Sequence, residues 1–339
     1  MKRPKPGRRG DPSAPDSVAD AGARHLPVLC TEVVEALAPK NGEVYLDGTF
    51  GAGGYTSAVL DHASCRVIAL DRDPTAISGA ALLLERYAER LQVAHAPFGT
   101  MGEVAQTVLA VEPPCLDGIM LDLGVSSMQL DEAERGFSFQ KDGPLDMRMS
   151  QSGPHAGETA ADIINSRSAD EIADILYHYG DERKSRAIAR AIVADRMAQP
   201  FTRTLELAEL VCRVLKTRSI DGRHPATRAF QALRIAVNDE LGELERALEA
   251  ATRLLKPGGR LVIVTFHSLE DGLVKRFFKS EAGREPRGSR HGPVEIDASG
   301  AQRYQLVNPR GITPSEAEIA RNPRARSARL RAAIRTEVS

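Results

Sequence analysis

The sequence predicts a doubly wound, Rossmann-like α/β sheet interrupted by an inserted helical domain. Three observations carry that expectation. Short apolar runs end repeatedly in an aspartate, at Asp47, Asp71 and Asp122. The runs alternate with helical patterns, the order that builds a parallel sheet covered on both faces. The alternation then lapses from about residue 131 to 234, a stretch too long for a crossover and therefore read as a domain in its own right. With 339 residues, 42% of them hydrophobic, the chain can fill one full α/β core and still carry a second unit.

Residues 1–24 are polar and rich in Pro, Gly and charge, a composition that cannot offset the entropy of ordering, and they are expected to be a disordered basic tail. The sheet-forming unit is expected over 25–130 and 235–339. Val44-Tyr45-Leu46 is the first strand, ending in Asp47 and the glycine cluster Gly48-Thr49-Phe50-Gly51-Ala52-Gly53-Gly54, which reads as a tight loop into a helix. Val67-Ile68-Ala69-Leu70 is the second, ending at Asp71; Pro74 suits the first turn of a helix expected from Thr75 to Leu91. Gln92 to His95 and Gly118 to Leu121 supply the third and fourth.

Within the insertion, Ile172, Ile175, Leu176 and Tyr179, then Ile188, Ile192 and Met197, then Ala208, Val211 and Leu215, keep a helical period. A helix with Leu241, Leu244, Leu248 and Leu255 on its apolar face precedes Lys256-Pro257-Gly258-Gly259 and a fifth strand, Leu261 to Val264. Residues 281–303 read as a surface loop. Leu330, Ala332 and Ile334 alternate with Arg329, Arg331 and Arg335, the pattern of a last, half-exposed strand.

Composition narrows the function classes. Aromatic residues make up 4% and tryptophan is absent, so a broad stacking platform for single strands is not expected. Cys30, Cys65, Cys115 and Cys212 lie far apart without paired spacing, which argues against a zinc site and a disulfide framework and for a reduced, cytoplasmic setting; no metal is expected. Lys2, Arg3, Lys5, Arg8 and Arg9 are followed by Pro, Gly, Ser and Asp rather than an apolar run, so the start is not a signal peptide, and no stretch is fit to span a bilayer.

A glycine cluster after a first strand lets a ligand approach the backbone, and an acid closing the second strand is where a ribose diol is held. The dinucleotide fingerprint fails because position 56 is Thr, and a Walker loop fails for want of Gly-Lys-Ser/Thr. Without a lysine for phosphates, the loop suits a ligand with ribose and amino acid but no phosphate, and S-adenosylmethionine is such a ligand. Each motif alone is read equally well as a turn or a helix cap; the two in order on one sheet favour the cofactor.

The segments Asp47 to Gly54, Ala69 to Pro74 and Leu121 to Ser127 resemble signatures of the RsmH (MraW) family, the 16S rRNA cytosine-N4 methyltransferases. So do Glu134-Arg135-Gly136-Phe137-Ser138-Phe139, Gly143 to Met149, His224-Pro225-Ala226-Thr227-Arg228, Phe266 to Asp271 and Asn322 to Ser327, and the resemblance runs from about residue 25 onward. It implies a class I methyltransferase sheet, S-adenosylmethionine as cofactor, and a cytidine in the decoding region of 16S rRNA, within the small subunit, as target. Gly51, Gly53, Gly54 and Tyr55 would meet the cofactor, Asp71 its ribose, Phe98 its adenine region, and Asp122 and Gln129 the rest of the pocket. Position 55 is Tyr where the family often has His, and position 128 is Met where it often has Pro.

Methylating cytosine N4 requires an acceptor for the amine proton, and Asp122, ending the fourth strand, is the candidate, with a pure cofactor ligand as the alternative. Phe137, Phe139, Phe266 and His267 are candidates to stack on or orient the flipped base, with packing as the alternative. Arg218, Arg223, His224, Arg228 and Arg234, and then Arg321, Arg324, Arg326, Arg329 and Arg331, are candidates for RNA phosphates. A DNA or other RNA amine methylase and a non-catalytic rRNA assembly factor stay open as alternatives, as does a homodimer.

Overall fold

The structure, a computed structural model, describes residues 27–151, 156–217, 219–220, 224–283 and 302–337. The disordered tail expected over 1–24, most of the loop expected over 281–303, and the candidates Arg218 and Arg223 lie outside the described residues.

Helix α1 (Cys30–Leu37) leads into β1 (Val44–Asp47), then α2 (Gly54–His62) and β2 (Arg66–Asp71). Asp73 caps α3 (Pro74–Gly79) by accepting from the Thr75 N–H at 2.9 Å, with Pro74 in the first turn as expected. The single helix expected to Leu91 is divided: α3 ends at Gly79, α4 covers Ala81–Tyr87, and a short 3-10 turn precedes β3 (Leu91–His95). Gly79 sits at the break, where a residue of poor helix propensity offers least resistance. Helix α5 (Met101–Leu109) and β4 (Leu116–Asp122) complete the first half.

After α6 (Ser127–Asp131) come α7 (Ala160–Ser166), α8 (Ala169–Gly180), α9 (Ser185–Arg196), α10 (Thr204–Leu215) and α11 (Thr227–Asn238). Their apolar stripes meet in a core of their own, which includes Ile172, Leu176, Ile188, Ile192, Val211 and Phe230. Met197 is not part of it: α9 ends one residue earlier and the side chain is 83% exposed. The chain returns through α12 (Glu240–Leu254), β5 (Leu255–Thr265), α13 (Ser268–Glu281), β6 (Tyr304–Leu306), α14 (Glu316–Arg321) and β7 (Arg329–Arg335).

Among the described residues the strands form one seven-stranded sheet in the order β3-β2-β1-β4-β5-β7-β6. The pairs from β3 across to β5 are parallel, and β7 runs antiparallel to both β5 and β6. Both faces are buried, as a sheet flanked by helices requires. Leu46, Ile68, Leu121 and Ile263 face α5, α12 and α13; Tyr45, Val67, Met120 and Val262 face α1 and α2. Burial corrects the reading of the last strand. β7 is covered on both faces, Leu330 and Ala332 joining the core on one side and Ala333 the core on the other, where Arg331 is held by Asp271 of α13, so all four are buried rather than alternately exposed. Strand order reverses between β1 and β4, which opens a crevice at their carboxyl ends, the usual ligand position in such sheets.

Candidate active site

The crevice holds a chamber of about 230 Å³, walled by the loop after β1, the ends of β2 and β4, and side chains from more distant segments. The glycine loop is pinned to both neighbouring strands, because Gly48 N–H donates to the Met120 carbonyl and Phe50 N–H to that of Leu70. Gly53 shows why the loop needs glycine. Its φ is +76°, and a Cβ there would lie 2.3 Å from Leu83 Cδ1. Gly51, Gly54, Tyr55, Asp71, Phe98, Asp122 and Gln129 line the chamber as expected, whereas Gly53 does not line it and instead shapes the turn.

Asp47 is fully buried at the base of the loop. Its carboxylate accepts from the Thr56 hydroxyl at 2.7 Å and from the Thr49 N–H at 3.0 Å. Burial pushes its pKa up to about 6 against the pull of those hydrogen bonds. Thr56, the residue that spoils a dinucleotide fingerprint, thus has a task a glycine could not perform. Thr49 in turn accepts the Asp122 N–H through its hydroxyl at 2.6 Å, so the loop and the end of β4 are one hydrogen-bonded unit.

Asp71 accepts from Gly51 N–H at 2.7 Å and from Asp73 N–H at 2.8 Å, one bond per carboxylate oxygen. Each oxygen keeps a lone pair for a further donor. Burial raises its pKa. Asp122 differs: its Oδ1 is buried with no hydrogen-bond partner. Burial first, then the charges of Asp47 and Glu270, push its pKa well above the ordinary carboxylate value. Tyr55 is buried, and its hydroxyl donates to the Val28 carbonyl.

Gln129 is the third residue of a capping box on α6: its side-chain oxygen accepts the Ser126 N–H at 3.0 Å. Its amide nitrogen donates to Asp73 at 2.8 Å, and Arg135 pairs with the same Asp73 oxygen at 2.8 Å, both charged side chains being buried. Arg135 also donates to the Met149 carbonyl at 2.9 Å. Asn238 makes a second stitch, accepting from Met149 N–H at 2.8 Å and donating to the Met147 carbonyl at 2.7 Å, while its own carbonyl takes Arg72 at 2.6 Å. Apart from the local Ser126–Gln129 box, the partners of Asp73, Asn238 and Arg72 were not legible, because these pairs are distant in sequence.

A second, open cleft of about 1080 Å³ lies between the inserted helices and the carboxyl end of β5. Phe266 lines both spaces. The other ring candidates are corrected. Phe137 packs in the core of the inserted helices with the Arg135 guanidinium 5.8 Å from its ring, and Phe139 packs against Phe230 and His224 at centroid distances of 4.7 and 4.5 Å; neither lines the chamber or the cleft. His267 lines the cleft but caps α13, its Nδ1 accepting from Glu270 N–H at 3.4 Å and its Nε2 lying 3.0 Å from Glu270 Oε1. The cap occupies Nδ1, while Nε2 is buried without a hydrogen-bond partner despite its nearness to Glu270.

The basic candidates divide. Arg234 is corrected to a structural ion pair, binding Glu240 through two hydrogen bonds of 2.7 and 2.8 Å. Arg331 is likewise buried, held on Asp271 at 2.7 and 3.0 Å. His224, Arg228 and Arg329 line the cleft. Arg324 lines the chamber and pairs with Asp131 at 2.6 Å, and Arg321 and Arg326 are exposed.

Glu240, His267 and Glu270 bring potential metal-ligating atoms within 4.8 Å of one another. Both carboxylates are already served, Glu240 by Arg234, Glu270 by the N–H groups of Phe266 and His267 at 2.8 and 3.2 Å. Burial alone would raise Glu270, yet the His267 hydrogen bond and the charges of His267 and Arg234 hold its pKa below the usual value. Among the described residues no helix is long and apolar enough to cross a membrane.

Comparison with known proteins adds a family. A model described as the MraW methylase family matches residues 22–336. The ribosomal RNA small subunit methyltransferase H of Paramagnetospirillum magneticum is 55% identical over 312 residues, covering 92% of this chain and 96% of that protein. The protein of the same name from Rhodospirillum centenum is 58% identical over 318 residues, 94% of each. Among solved structures, an rRNA methylase from Streptococcus thermophilus aligns with a TM-score of 0.35 and 10% identity over 91% of this chain and 94% of that one. A methyltransferase homologue from Pyrococcus horikoshii gives 0.37 and 19% over 95% and 73%.

Proposed function

The chain belongs to the MraW methylase family, and from that premise we propose that it methylates the exocyclic N4 amine of a cytidine in the decoding region of small-subunit 16S rRNA, with S-adenosylmethionine as methyl donor. The observation that carries the reading is the chamber itself. A glycine-lined loop, a carboxylate with free lone pairs at Asp71 and a buried, unpartnered carboxylate oxygen at Asp122 converge on one space, and Phe266 alone of the ring candidates borders both that space and an open cleft.

The donor set fits the cofactor. Asp71 would take the ribose hydroxyls, Gly51, Gly54 and Tyr55 would border the amino-acid end, and Phe98 the adenine. When bound, the sulfonium supplies an electrophilic methyl and departs as a neutral thioether, so no Lewis acid is called for. The protein's task is the nucleophile, whose lone pair is delocalised into the ring. Phe266 would hold the flipped base face-on, and Asp122 would accept a hydrogen bond from the N4 amine and then its proton as the nitrogen–carbon bond forms. A raised pKa makes Asp122 a better proton acceptor than an ordinary carboxylate, provided it is ionised. The inserted helices, about 131 to 234, are assigned to substrate recognition, with Arg218, Arg223, His224 and Arg228, and with Arg324 and Arg326 from the last segment, supplying backbone contacts that position RNA without reading sequence.

Mass-spectrometric mapping of modified cytidines in rRNA from cells lacking the protein tests the target, and an unchanged map would refute it. Asp122→Asn tests the mechanism: turnover is expected to fall about 10²- to 10⁴-fold with cofactor affinity within a few-fold. In the wild type, turnover should fall as pH drops through the raised Asp122 pKa, because only the ionised form accepts the proton. Equal losses of turnover and affinity in the variant would make Asp122 a cofactor ligand only.

A further inference from the structure

We propose that the cleft beside β5 takes a single-stranded stretch of the RNA substrate, with Tyr177 stacking on a base that neighbours the target nucleotide. The inference rests on the methyltransferase reading above and adds the conformation of the substrate and the residue that detects it. Size is the first argument. At about 1080 Å³ the cleft exceeds the roughly 300–1,000 Å³ typical of small-molecule sites and suits a segment of polymer. Position is the second, because Phe266 lines both cleft and chamber, so a strand lying in the cleft can deliver one nucleotide past that ring.

Chemistry is the third. Tyr177, on α8, is 53% exposed and is the one aromatic among the large exposed hydrophobic side chains of the described residues. Its ring stands at 84° to that of His178 with centroids 5.2 Å apart, and about half of its surface is open to another planar group. Arg228 and Arg329 line the same cleft, and of the two acids there the Asp271 carboxylate is neutralised. Asp271 is bound by Arg331, with Arg329 4.0 Å away, and Asp181 closes α8, where its carbonyl, not its carboxylate, takes Arg228 at 3.2 Å. An exposed aromatic ring in a cleft that also carries guanidinium groups suits unpaired nucleotides, whereas bases within a duplex offer no free face.

The test uses the full chain and small ribosomal subunits from cells lacking the protein. Tyr177→Ala is expected to raise KM for the subunits and weaken their binding roughly tenfold, with kcat within about twofold, since stacking on one base is lost. Tyr177→Phe should restore the wild-type values, which separates stacking from a structural effect. A single-stranded oligonucleotide carrying the target sequence should compete with the subunits, and the same strand annealed to its complement should compete poorly. Wild-type KM and binding in Tyr177→Ala, or equal competition by the duplex, would overturn the proposal. Binding is read without turnover, so Tyr177-dependent binding without methyl transfer would sink the methyltransferase reading alone. Methyl transfer indifferent to Tyr177 would sink this one alone.

Discussion

Asp47, Asp71 and Asp122 were visible in the sequence because each closes an apolar run, but their differences were not, since those depend on what surrounds each carboxylate. Asp47 is satisfied by Thr56 and Thr49, Asp71 by backbone N–H groups, and Asp122 Oδ1 by nothing. Asp47 also gives a clean stability test. With its folded pKa raised to about 6 and an unfolded value near 3.8, the folded state holds the proton more tightly. Stability contributed by that proton is present below the unfolded pKa and is lost as pH rises through the folded one. Relative to Asp47→Asn, the wild type should therefore lose up to roughly 3 kcal/mol between about pH 4 and 6. Denaturant unfolding of both proteins across that window measures it, and a parallel pH dependence would show that Asp47 is not strained by burial.

Elements were legible where local pattern and burial agree. β1, β2 and β4 are buried on both faces and read as unbroken apolar runs, whereas the splitting of the helix after Pro74 depends on one weak position, Gly79. β5 begins at Leu255, earlier than the apolar run, because Leu255 pairs with Leu116 before a shift of register at Gly118. The alternation in β7 is real, but the face expected to be exposed is covered by α13, whose Asp271 holds Arg331, a contact that no local pattern announces. The loop after β2 and the start of the insertion are joined by the buried Asp73–Arg135 pair, which no periodicity announces. Removing one partner strands the other, so Arg135→Ala is expected to cost about 3–5 kcal/mol, while Arg135→Met combined with Asp73→Asn should cost clearly less. Urea midpoints of the two variants decide it. If they lose equally, Arg135 matters for its other contacts and not for its charge.

For the whole molecule, the lapse in β/α alternation was the legible sign of the inserted helices, and their separate core accords with it. How they meet the sheet was not legible, because Arg72, Asn238 and Arg135 connect segments far apart in the chain. The pairing of Asp122 with Val264 likewise spans everything between them, and among the described residues the other edge of β5 is covered by Arg329 to Ile334 of β7. This placement has a consequence during synthesis. Once β5 has left the ribosome, its apolar run of Leu261 to Val264 presents open N–H and C=O groups until β7 follows, and such an edge invites pairing with other chains. The growing polypeptide therefore passes through an interval of vulnerability to aggregation, closed only when the strand that seals β5 emerges. A chain cut after Gly283 should accumulate in inclusion bodies at growth temperature while the intact chain does not, and adding residues 302–337 as a separate peptide during refolding should recover part of it. Good solubility of the shortened chain would show that the edge is protected by something other than β7.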